Sequence, residues 1–204
     1  MCIPDRFALR RARQAGISLI ELVMFIVIVS VGIVGILQVM NITTRHSADP
    51  MLRKQALSIA EAMLEEVQLM PLTFCDPDDA NASAATTTSA ANCADTAMDQ
   101  DKGGGALTTA TPATETRYSL TTPFDNVADY GGFGMAAGIS DITGTAIPGL
   151  NNYRLQPITI TRVAMNGIAD DGNALLITVT VTAPSGENIS VQGIRTRFAP
   201  TAVP

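Results

Sequence analysis

The chain has 204 residues, 47% of them hydrophobic, 16% charged and 4% aromatic, with no Trp. That allows one domain with a modest aliphatic core beside a separate apolar segment. The net charge of −6 is unevenly spread: residues 1–16 carry Arg6, Arg10, Arg11 and Arg13 against Asp5, and the remainder carries 9 basic against 18 acidic side chains. An acidic body argues against nucleic acid as a partner, because phosphate binding needs clustered cations.

The first predicted element is an apolar helix. No residue from Leu22 to Thr44 is charged, and Leu22 to Leu37 reads LVMFIVIVSVGIVGIL. Ile17 to Met40 forms a helix of roughly 36 Å, longer than the roughly 30 Å hydrocarbon core of a bilayer. Cleavable secretory signals have a shorter apolar region followed by a small-x-small site. Neither feature is present, so the segment is expected to stay attached. The arginines ahead of it predict a cytoplasmic N-terminus, with everything beyond Met40 outside.

Glu21 is out of place in a plain anchor, where burying a carboxylate costs about 3 kcal/mol or more. The simplest account is that it reaches water at the interface. Its neighbours suggest another. Behind the basic leader, Gly16-Ile17-Ser18-Leu19-Ile20-Glu21 resembles the processing signature of type IV prepilins. The resemblance implies a prepilin peptidase that removes residues 1–16, cutting after Gly16 and methylating the new amine of Ile17. Glycine lets the backbone approach such an enzyme closely. The family also implies that Glu21 meets the N-terminal amine of a neighbouring subunit, which offsets its burial and fixes axial register. Two departures stand out: Ile17 replaces the usual Phe or Met, and no Pro kinks the apolar helix, where Gly32 and Gly35 supply flexibility instead.

The three cysteines sort by side of the membrane. Cys2 lies in the leader, whereas Cys75 and Cys93 lie beyond the apolar run, where a disulfide can persist. Residues 17–48 are thus expected to form the assembly helix and residues 49–71 a second, amphipathic one. Asp49 suits the N-cap of that stretch, with Pro50 at its first position; the sequence leaves open whether Pro50 kinks one helix or separates two. Its stripe is Leu52, Ala56, Ile59, Met63, Val67 and Met70, and Pro71 ends it.

Residues 72–116 read as a low-complexity loop. From 76 onward they are rich in Ala, Thr, Asp, Asn, Ser and Gly, with almost nothing to bury and a Cys75–Cys93 bridge to tie them down. Gly103-Gly104-Gly105 lacks the context of a phosphate loop and is read as a linker. The β-rich head, residues 117–204, carries the alternation Leu175, Ile177, Val179, Val181 of a half-buried strand. Tyr153 to Val163 and Asn188 to Phe198 flank it, with turns at Asp170-Asp171-Gly172-Asn173 and Pro184-Ser185-Gly186-Glu187. The expected fold is α+β and pilin-like: a long N-terminal helix packed through its C-terminal half on an antiparallel β-meander.

Further blocks, among them Arg53-Lys54-Gln55-Ala56-Leu57, Phe74-Cys75-Asp76-Pro77-Asp78-Asp79-Ala80-Asn81 and Thr122-Pro123-Phe124-Asp125-Asn126-Val127, resemble the minor prepilins encoded with mannose-sensitive haemagglutinin pili. That resemblance implies a subunit that helps initiate or assemble a pilus. Its partners would be the prepilin peptidase, other major and minor pilins, an inner-membrane assembly platform and lipid. It would sit in the inner membrane as a single pass with a periplasmic C-terminus, and in the filament after assembly.

Catalysis is not expected. The single His46 adjoins the apolar run, and neither a metal cluster nor a triad can be built around it. No cofactor is implied. Asp76, Asp78 and Asp79, or Asp170 and Asp171, offer oxygens to calcium but lack EF-hand spacing, so they are expected to be solvated turn carboxylates. Two alternatives share the anchor: a minor pseudopilin of type II secretion, and a periplasmic binding or sensor domain that keeps its signal-anchor.

Overall fold

The computed structural model describes residues 16–168 and 172–203, with backbone alone for 43–49. Residues 1–15 of the leader, with Cys2, the Asp170-Asp171 half of the predicted turn, and the side chains of His46 and Asp49 lie outside the described residues. The chain divides into two compact units, Met1–Ser47 and Ala48–Pro204.

One helix, α1 (Leu19–Leu69), contributes to both units. Pro50 is inside it, so of the two arrangements the sequence leaves open, one helix running through Pro50 is the one observed. Proline removes one i→i−4 hydrogen bond, a cost of about 3 kcal/mol in a helix interior. The residues after it are held helical by packing: Ala56, Ala60, Met63 and Val67 are buried, with Leu52, Ile59, Leu64 and Met70 packed beside them. The predicted stripe is therefore the buried face, with Ala60 added.

The stripe covers a four-stranded antiparallel sheet: β1 (Arg154–Leu155), β2 (Thr159–Arg162), β3 (Ala174–Thr182) and β4 (Asn188–Thr196). β3 is central. β4 pairs with it along its whole length, from Ala174↔Thr196 to Thr182↔Asn188. β1 and β2 share its other edge, at Leu155↔Val181 and Ile160↔Ile177. Leu175, Ile177, Val179 and Val181 are buried as their alternation predicts. The expected strand Tyr153 to Val163 is split in two. Pro157 has no N–H for the ladder, and the Ile158 N–H turns aside to the Phe133 carbonyl at 2.8 Å. The turn at Pro184 to Glu187 forms, with Gly186 at φ +85° and its N–H donating to the Ala183 carbonyl. At Gly193 on β4 the Gln68 amide and the Leu64 side chain of α1 occupy the space a Cβ would take.

The end of α1 is fastened to the end of the sheet. Arg195 donates to the Met70 carbonyl at 3.1 Å and Arg197 to that of Thr73 at 3.3 Å. The Arg197 guanidinium also stacks on the Phe74 ring, 4.4 Å from its centroid, and pairs with Asp101 at 2.8 Å.

Residues 72–153 carry little regular structure, yet the expectation that 76–116 bury almost nothing is wrong. Asp76, Asp79, Ala82, Thr87, Gln100, Leu107, Thr111 and Glu115 are all buried. The small polar residues are the building material here, because their side chains satisfy backbone N–H groups that a ladder would otherwise take. Asp79 accepts from Asn81, Ala94 and Asp95, and Asp99 from Asp101 and Gly103. Gly103 and Gly104 belong to a single 3-10 turn, Lys102–Gly104, with positive φ, and are not a slack linker. Cys75 and Cys93 form the predicted disulfide across this lobe.

At Gly131 the backbone has φ −60° and ψ 123°, which alanine tolerates, but an added Cβ would collide with the Leu107 carbonyl. Gly131→Ala is therefore expected to cost about 2 kcal/mol by overpacking. In urea unfolding this reads as a lower midpoint at unchanged slope.

Candidate functional site: an exposed apolar helix and a buried acidic cluster

The first unit offers one feature, the N-terminal part of α1. Gly16, Ile17 and Ser18 precede the helix, and Ile17 is 74% exposed. Leu19–Ile42 has 24 residues at a mean hydropathy of 2.8, with none of its most apolar window buried. It is thus long and apolar enough to cross a membrane. Every large apolar side chain from Ile17 to Ile42 is exposed, far more contiguous apolar surface than soluble monomers carry. Ser30 does not interrupt it, since its hydroxyl donates to the Ile26 carbonyl at 2.7 Å. Glu21 stands in the first helical turn, exposed, five residues after Gly16. An acid suits that end of a helix, where unpaired N–H groups carry partial positive charge.

The second unit holds a cluster of acids that sequence spacing did not reveal. Asp76, Asp78, Glu115 and Asp125 each present a carboxylate oxygen, all within 4.8 Å of one another. Asp76 is fully buried and Glu115 is 4% exposed, whereas Asp78 reaches solvent. Asp76 is held by the Asp78 N–H at 2.9 Å and by the Gln100 side-chain amide at 2.9 Å. That amide also donates to the Thr111 carbonyl at 2.8 Å. Behind the cluster, Asp129 accepts the N–H groups of Thr111 and Asn126.

Burial and like charge act together on these groups. Burial, then the charges of Asp129, Asp76 and Asp125, push the Glu115 carboxyl up to about 10. Asp125 is raised to about 7 by burial and by Asp76, Asp129 and Asp78. Burial lifts Asp129 to about 6 against the pull of its two backbone donors, and Asp76 is raised for the same reason. Nearby, burial lowers Lys102, and the attraction of Asp129, Glu115 and Asp99 only partly restores it. Oxygen-only donors of this kind suit a hard cation.

The expected trio Asp76, Asp78 and Asp79 is therefore redistributed. Asp79 is not a solvated turn residue: it is buried, and its three backbone donors outweigh burial and hold its carboxyl below the usual range. Asp76 is likewise buried. Glu115 and Asp125 were missed because they lie far along the chain, and no local pattern links them to Asp76.

A third polar group joins helix to head. Arg117 grips Glu66 of α1 in a two-pronged ion pair at 2.7 Å and 2.7 Å, and Tyr130 donates its hydroxyl to the same carboxylate at 3.0 Å. The Arg117 guanidinium also donates to the Asp141 carbonyl at 2.9 Å and lies 5.8 Å from the Phe133 ring centroid. Phe124, Tyr130 and Phe133 meet edge to face around it.

No family model, no curated protein and no solved structure matches the chain.

Proposed function

We propose that the chain is a minor type IV prepilin of the MshD type, a non-enzymatic subunit that helps initiate or assemble a pilus. The observation that carries this reading is a single carboxylate. Glu21 sits in the first turn of a helix whose large apolar side chains are exposed as far as Ile42, directly behind Gly16-Ile17. Such a surface demands a nonpolar environment, and a bilayer followed by a bundle of like helices supplies two in succession. In the bundle, the methylated amine of Ile17 on a neighbouring subunit gives Glu21 the partner that a buried charge requires. The acidic head with its disulfide suits the periplasmic side.

Mass spectrometry of the cellular protein tests the reading. A chain that begins at N-methylated Ile17 is expected, and a retained Met1 would leave only a signal-anchored domain. Glu21→Ala is expected to spare cleavage and membrane insertion but to lower recovery in sheared filaments by about a hundredfold or more, since one unmatched buried charge costs about 3–5 kcal/mol. Normal recovery would end the register role. If deleting the gene blocked export of a soluble cargo and left pili intact, the secretion pseudopilin would be the better assignment.

A further inference from the structure

We propose that Asp76, Asp78, Glu115 and Asp125 form a binding site for one divalent cation of the calcium class. Four carboxylates from three separate stretches of chain converge on one point, with Asp129 close behind them. Among the described residues the only cation at the cluster is Lys102, and its buried Nζ makes no hydrogen bond to any of them.

Several oxygens here are buried without a donor. Glu115 is 96% buried, as its 4% exposure states; its carboxyl shares a hydrogen bond with that of Asp76, and its Oε2 meets no other donor. Asp125 Oδ1 is buried and unpartnered as well. Beside them Gln100 is 1% exposed; its amide nitrogen is committed to Asp76 and Thr111, which leaves its Oε1 without a donor. A buried oxygen left unsatisfied costs about 1–3 kcal/mol. The two carboxylate groups, in a cluster whose oxygens lie within 4.8 Å of one another, call for a ligand that takes several oxygens at once.

The donor chemistry narrows the ion. The four carboxylate oxygens lie within 4.8 Å of one another, close enough to share one calcium, whose opposite ligands stand about 4.8 Å apart. Magnesium needs a tighter, near-ideal octahedron. Zinc favours His or Cys, and the two cysteines of this lobe are joined in the disulfide. Exposed Asp78 opens the site to solvent, so waters complete the six to eight ligands of calcium. The site lies wholly within the second unit, so it stands or falls independently of how the apolar helix is used.

The test is calorimetric titration of the full chain in detergent, stripped with EDTA and dialysed, with CaCl2 and separately with MgCl2. One saturable calcium site per chain is expected, with a dissociation constant of about 1 mM or lower. Magnesium should bind at least about tenfold more weakly, as its smaller octahedron predicts. Calcium near saturation should also raise the melting temperature by several degrees. Glu115→Gln and Asp125→Asn should each weaken calcium about tenfold or more by removing a charged ligand. In EGTA the same variants should melt no lower than the parent chain, because like-charge repulsion is relieved. Asp78→Asn, at an exposed position that does not threaten folding, should weaken calcium in the same direction. A flat titration to about 10 mM CaCl2, well above the weakest extracellular sites, together with unchanged melting overturns the proposal. So does calcium binding that persists undiminished in all three variants.

Discussion

Arg117→Met is expected to destabilise the head by about 3–5 kcal/mol. Arg117 is 7% exposed and its partner Glu66 is 24% exposed at the side chain. Removing the guanidinium leaves a largely buried carboxylate facing Tyr130 alone, and abandons two carbonyls, of Ser140 and Asp141, that it now satisfies. An uncompensated buried charge costs more than the pair contributes. The double variant Arg117→Met with Glu66→Leu should therefore be more stable than Arg117→Met alone. Thermal melting of the four members of this cycle is the check. If the single and double variants melted together, the pair would be acting as an exposed bridge of little consequence.

The second large effect is expected at the disulfide. Cys75→Ser with Cys93→Ser opens a loop with 18 residues of sequence separation, and the lost constraint on the unfolded chain amounts to about 3 kcal/mol. At roughly 2–4 °C per kcal/mol for a domain of this size, the melting temperature should fall by about 10 °C. The damage should be local first. Phe74 to Asp76 run antiparallel to Met98 to Gln100, through the Cys75↔Asp99 bridge and the Asp76 and Gln100 N–H groups. Loosening Cys75 therefore loosens Asp76 and Gln100 as well. Hydrogen exchange at those two amides should rise more than at Val179 in the centre of the sheet, and equal rises at all three would argue against a local opening.

What could be read from the residues alone followed from periodicity and charge. The exposed helix was legible because an uninterrupted apolar run has few other uses. β3 was legible because its apolar and polar residues alternate from Ile177 to Thr182, with Leu175 continuing the apolar face. Positional logic singled out Cys75 and Cys93. The stripe from Leu52 to Met70 was legible, but whether its helix joins the apolar one was not: Pro50 is a local stop signal, and packing farther along α1 overrides it. Residues 72–153 were the least legible. Their order comes from aspartates and asparagines that bond backbone N–H groups, and in a linear reading such residues look the same as solvated loop. The acidic cluster escaped for a related reason. Glu115 and Asp125 owe their place to the path of the chain around Asp129 and Thr111, and no spacing rule encodes that path.

The clamps from Arg195 and Arg197 back to Met70 and Thr73 join residues more than 120 positions apart. β4 also supplies one whole flank of the strand on which the stripe of α1 packs. Protein synthesis runs from the N-terminus, so this core has no native closure until its final strand has left the ribosome. Until then the stripe and β3 remain greasy and open. Clamps of that span close late and slow folding, and the nascent head is expected to depend on chaperones that shield it for most of the time it is being made.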